Sequence, residues 1–138
     1  MYLLDTDVLS ILRRQKRFPE IAAWFALRPL HAMHLSVVTI AEVETEIEMA
    51  NRRNPVFAAD LRDWIQRVQS VDFAGRLLPV DAEVAVAWGQ MAARIGNSEN
   101  DLLIAATAQV HGLTVITRNA RHFEPTGVPV INLSGAAE

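Results

Sequence analysis

The chain has 138 residues, enough for one domain with a sizeable core, and is 51% hydrophobic and 21% charged, which excludes a disordered polymer. Its formal net charge of −3 excludes a broadly basic nucleic-acid-binding surface, although an enzyme that clusters acids around metal lowers its own charge. There is no cysteine, which removes disulfides, thiolate metal sites and a cysteine nucleophile from consideration.

The first segment, Tyr2-Leu3-Leu4, is a short apolar run that predicts a buried parallel strand delivering Asp5 at its carboxyl end. No basic segment with a long apolar run opens the chain, and no apolar stretch approaches the ~20 residues of a membrane helix. A cytoplasmic protein without a signal peptide is therefore expected. A helix follows from about Asp7, with Val8, Leu9, Ile11 and Leu12 on its apolar face. It ends in the basic run Arg13-Arg14-Gln15-Lys16-Arg17, which offers contacts for phosphates or an acidic protein segment but is read first as a solvated helix end favoured by the dipole. Pro19 suits the first turn of a second helix carrying Ile21, Trp24, Phe25 and Leu27, stopped by Pro29.

His34-Leu35-Ser36-Val37-Val38 reads as the second strand, and a helix is predicted from Thr39 with Ile40, Val43 and Ile47 as its stripe. Beyond Asn54-Pro55, a longer helix carries Phe57, Leu61, Trp64, Ile65 and Val68. Leu77 to Val80 is a short third strand, and Asp81 caps a helix containing Val84, Val86, Ala87, Trp88 and Met91. After a loop from Gly96 to Asn100, Asp101 opens a helix that is apolar nearly all round and ends at Gly112. Leu113 to Thr117 is the fourth strand, Val128 to Ile131 a candidate fifth, and 134–138 a frayed tail. Alternating strands and helices with no repeat or linker predict one α/β domain, a parallel sheet of four to five short strands covered by helices on both faces. In such sheets ligands bind at the carboxyl ends of the strands.

Three acids stand near those ends. A carboxylate directly after a buried strand, such as Asp5, is costly to desolvate unless a partner such as a metal ion meets it; the competing reading is a helix cap. Glu42 lies in Thr39-Ile40-Ala41-Glu42, which is also a capping-box pattern, and taken alone that reading is the stronger. Glu46 lies one turn beyond on the same face, whereas Glu44 and Glu48 lie on another and are read as solvated. Asp101 follows Ser98 by three, again a capping-box spacing, yet it marks the one polar end of a buried helix. Carboxylates from three separate elements suit a hard cation such as magnesium or manganese, which usually takes a few carboxylates plus waters. Periodicity and spacing end there, at a metal site with no named substrate.

The segments Leu4 to Ser10, Leu35-Ser36 through Thr39 to Glu42, Leu78 to Asp81, Asp101 to Ala108 and Leu113 to Asn119, in that order, resemble the PIN-domain family. They are most similar to the VapC-type, FitB-like toxin ribonucleases of VapBC toxin–antitoxin pairs. The resemblance implies a PIN-like three-layer fold and a magnesium-dependent endoribonuclease, with manganese as a substitute, acting on single-stranded regions of structured RNA. It implies that Asp5, Glu42 and Asp101 bind metal, that cleavage leaves a 5′-phosphate and a 3′-hydroxyl, and that a VapB-like antitoxin inhibits the enzyme. A homodimer, assembled as a heterotetramer or larger with antitoxin, is also implied. Relatives often carry a fourth acid shortly after strand four, where this chain has Asn119 and His122; Asn119 is left as a candidate for orienting a metal-bound water. Asp7 stands where relatives commonly have Asn and is a candidate for supplying the missing charge.

Arg118, near the end of the fourth strand, is a candidate contact for an RNA phosphate. No pair among His31, His34, His111 and His122 has zinc-ligand spacing, and Trp24, Trp64 and Trp88 fall on apolar helix faces. Asp5-Thr6-Asp7 is similar to the opening of haloacid-dehalogenase-like phosphatases, but the sole lysine, Lys16, is not well downstream as that chemistry requires. The remaining alternative is a catalytically weakened PIN-like binding module acting through antitoxin or RNA contacts.

Overall fold

The computed structural model describes residues 1–134. Five short strands, β1 (Tyr2–Leu4), β2 (Met33–Ser36), β3 (Leu77–Leu78), β4 (Thr114–Thr117) and β5 (Val130–Asn132), form one sheet in the order β3-β2-β1-β4-β5. Every pairing is parallel, with Leu3 opposite Val115 and Leu4 opposite Ile116 in the central pair.

Side chains alternate faces along a strand, so neighbours in sequence enter different cores. Leu4 and Ile116 point into the core built with α1 (Thr6–Arg13), α2 (Pro19–Ala26), α3 (Val37–Asn51) and α4 (Pro55–Arg67). Leu3 and Val115 point into the opposite core, built with α5 (Ala82–Ile95) and α6 (Asn100–His111), where Met91, Ile104 and Phe123 are fully buried. The three-layer expectation holds. With both faces covered, the open places are the sheet edges and the strand ends.

Several element boundaries differ from the expectation, and two of them matter to the site. The strand predicted to Val38 stops at Ser36, whose extended backbone lets its hydroxyl accept from Val38 N at 3.0 Å and cap α3. The helix therefore starts two residues before Thr39, and Thr39 and Glu42 are interior positions rather than a capping box. Similarly α6 begins at Asn100 with Glu99 at its cap position, and no side-chain cap bond forms there. Ser98 and Asp101 are thus no capping box either. The third strand is limited to Leu77–Leu78, and α4 continues through a π-helical turn from Val68 to Asp72.

The basic run after α1 is not simply solvated. The Arg13 guanidinium lies 5.6 Å from the Phe57 ring centroid and 5.5 Å from that of Trp64, rings supplied by a helix more than forty residues downstream. Glu44 and Glu48, read as solvated, both face Arg62 of α4, at 2.7 and 3.5 Å. No helix among the described residues is long and apolar enough to cross a membrane. Apart from Ser134, the tail expected to fray lies outside the described residues.

Candidate active site

Asp5 leaves β1 at the centre of the sheet, its backbone N–H donating to Ile116 O of β4 at 2.9 Å. It is 9% exposed. One carboxylate oxygen accepts from Thr6 N at 2.8 Å, and the other accepts from the Thr117 hydroxyl at 2.9 Å. The capping reading of Asp5 is therefore realised, and its second oxygen is held by a residue of a different strand. Thr117 is itself fixed by accepting from Asn119 N at 2.9 Å, so the turn after β4 sets the orientation of a carboxylate from β1.

Glu42 arrives from α3. The Thr6 hydroxyl donates to Glu42 Oε1 at 2.7 Å and, its proton being spent there, accepts from the fully buried Thr39 hydroxyl at 2.8 Å. This relay exists because α3 starts early enough to bury Thr39 beneath α1. Asp101, in the first turn of α6, accepts from His122 Nδ1 at 2.7 Å. The Asn119 amide nitrogen lies 3.1 and 3.3 Å from the two ring nitrogens of His122.

These residues line one cleft of about 470 Å³, formed by Asp5, Thr6, Asp7, Glu42, Glu46, Asp101, Asn119 and His122. It opens at the carboxyl end of the parallel sheet, as the topology requires. A larger concavity of about 750 Å³ between Leu12–Arg17 and Phe57 contains no carboxylate and lies apart from these acids.

Electrostatically the cleft is strained. Burial pushes the Asp5 carboxyl up to about 6, opposed by the Thr117 hydrogen bond and reinforced by the negative charges of Asp101 and Glu42. Among the described residues no basic side chain forms an ion pair with Asp5 or Glu42. A desolvated carboxylate beside like charges, without a cationic neighbour, is the donor chemistry a divalent cation satisfies. No three His, Asp or Glu side chains among the described residues close on a single point.

The structure brings together Asp5, Glu42, Asp101, Asp7 and Asn119, with Glu46 beside Glu42 as their shared helix face implies, and it adds His122. Arg118 is not among the cleft-lining residues: its Nη1 lies 3.7 Å from Asp7 Oδ2 and its guanidinium 5.3 Å from the Phe18 ring centroid. Asp7 is thus partly neutralised by Arg118, which limits the charge it can add. Sequence reasoning missed the supporting threonines Thr6, Thr39 and Thr117 and the contact of His122 with Asp101. The usable signal was polar residues placed immediately after apolar strands.

The PIN-domain family model matches residues 2–127, and the chain belongs to the PIN-domain family. Among individual relatives, the VapC ribonuclease Y4jK of Sinorhizobium fredii is 30% identical, with 96% of each chain covered. Toxin FitB of Neisseria gonorrhoeae is 32% identical, over 96% of this chain and 97% of its own. The crystal structure of FitAcB from Neisseria gonorrhoeae superposes with a TM-score of 0.78 at 34% identity, covering 96% of this chain and 97% of that one.

Proposed function

We propose that this chain is the toxin of a VapBC-type toxin–antitoxin pair and a divalent-metal-dependent endoribonuclease. The observation that carries the reading is Asp5, a buried carboxylate that no basic side chain among the described residues pairs with, held in one cleft with Glu42 and Asp101 at the carboxyl end of a PIN-domain sheet. The ribonuclease and toxin names of relatives at 30% and 32% identity support it, as does the likeness to FitAcB.

Asp5 and Asp101 are the residues that would hold the ion, Asp5 locked by Thr6 and Thr117 and Asp101 oriented by His122. Magnesium or manganese bound there supplies Lewis-acid polarisation of the scissile phosphodiester and stabilises its developing charge. Glu42, aimed by the Thr6–Thr39 relay, accepts a hydrogen bond from the attacking water and orients it toward phosphorus. Attack from water, with departure of the 3′-oxygen, leaves a 5′-phosphate and a 3′-hydroxyl. Loop shape and groove charge select the RNA, and single-stranded regions are the accessible ones. A VapB-like antitoxin and a second copy of the chain are the proposed partners.

The test is cleavage of total cellular RNA by antitoxin-free protein with magnesium or manganese, alongside EDTA, Asp5→Asn and Asp101→Asn. Cleavage abolished in EDTA and in both variants is expected. Folded, metal-loaded wild-type protein that leaves RNA intact would overturn the nuclease reading and favour a PIN-like binding module.

A further inference from the structure

His122 is the one cleft-lining side chain that offers an imidazole nitrogen rather than oxygen or an amide, and it touches an acid assigned to the ion. Its Nδ1 stands 2.7 Å from Asp101 Oδ2, a hydrogen-bond distance. Adjacent ligands of an octahedral cation with bonds of about 2.1 Å are separated by about 3 Å. A cation can therefore take the proton's place if the ring and the carboxylate part by a few tenths of an ångström. The ring has the freedom to do so, because its side chain is 54% exposed and Asp101 is 26% exposed. Metal-bound imidazoles ordinarily donate their other N–H to an outer partner. The Asn119 amide, 3.3 Å from Nε2, supplies one once turned so that its oxygen faces the ring.

On the proposed metal site, we infer that His122 is a direct nitrogen ligand paired with Asp101, and that this nitrogen–oxygen pair makes the site select manganese over magnesium. Magnesium demands hard oxygen donors and sheds water reluctantly, whereas imidazole suits first-row transition ions. An imidazole in place of a carboxylate also removes one negative charge, which weakens the hold on magnesium without the compensation that manganese gains from nitrogen.

Calorimetric titration of the full-length, metal-free chain with manganese and with magnesium tests this, together with pulsed electron paramagnetic resonance of the manganese-loaded protein. The wild type is expected to show nitrogen hyperfine coupling from one imidazole. His122→Ala is expected to lose that coupling and to bind manganese about tenfold or more weakly, with magnesium affinity changed less than about twofold. His122→Asp is expected to reverse the preference toward magnesium. Both variants should keep wild-type circular dichroism and unfolding midpoint, since the side chain is exposed. Manganese that binds in an Asp5-dependent way, without nitrogen coupling and with the metal preference unchanged in both variants, would overturn this inference alone. Manganese that fails to bind, or binds equally well to Asp5→Asn, would overturn the proposed site and this inference with it.

Discussion

Replacing Asp5 by Asn should stabilise the metal-free protein at neutral pH while removing its activity. The folded carboxyl titrates near 6 against an ordinary value of 3.8. Between those values the unfolded chain has released its proton and the folded protein has not, so the unfolded state binds fewer protons and stability falls as pH rises. Well below 3.8 the group is neutral in both states and costs nothing. Above 6 it is charged in both, and the folded state carries the whole penalty. At 1.36 kcal/mol per pH unit, the 2.2-unit difference amounts to about 3 kcal/mol. Asparagine keeps an oxygen for Thr6 N and has no charge to bury. Urea unfolding in EDTA from pH 4 to 8, wild type against Asp5→Asn, measures the effect. The stability of the variant minus that of wild type should grow through the window by close to that amount. A difference that stays flat with pH, or a wild type that gains stability over the variant toward pH 8, would refute the account of a desolvated carboxylate.

Three further substitutions probe the supports of the site. Thr117→Val removes the donor to Asp5 and the acceptor for Asn119 N, so urea unfolding should show a loss of about 1–3 kcal/mol. The pH at which Asp5 affects stability should also move above about 6, because the lost hydrogen bond lowered its titration point. Phe123→Ala, a fully buried ring next to His122, should cost about 3–5 kcal/mol by the same assay and should also weaken manganese binding. Ser36→Ala removes the cap of α3 and should cost about 1 kcal/mol, read as a lower unfolding midpoint.

Much of this site was legible because its key acid is announced locally. Tyr2-Leu3-Leu4 followed by Asp5 is a buried strand meeting a carboxylate, and parallel topology puts that carboxylate where ligands bind. Glu42 was ambiguous for an equally local reason. Thr39 and Glu42 have the spacing of a capping box, and only the two-residue shift of the α3 start, set by Ser36, turns them into a buried relay. The rest depends on distance along the chain. Arg13 meets Phe57 and Trp64, and His122 meets Asp101, across separations that hydrophobic periodicity does not encode. Arg118, a candidate phosphate contact from its place after β4, is met by Asp7 and the Phe18 ring, neighbours that its position in the sequence does not announce.

In the proposed metal site, the burial of Asp5 would link cation binding to folding through one proton site. In the metal-free protein, ionising Asp5 opposes folding; with a cation bound, the same ionised carboxylate becomes a ligand that exists only in the folded chain. Protons and the cation therefore compete, and manganese at a hundred times its dissociation constant should nearly cancel the pH dependence. In EDTA, wild-type stability attributable to Asp5 falls between pH 3.8 and about 6. With manganese at a hundred times its dissociation constant, binding adds about 2.7 kcal/mol near neutral pH and progressively less as acid displaces the ion. The Asp5→Asn variant, having no such competition, should show neither the decline in EDTA nor the gain in manganese. A metal effect of equal size in both proteins would place the cation elsewhere on the chain. Equal pH profiles with and without manganese would separate Asp5 from the ion altogether.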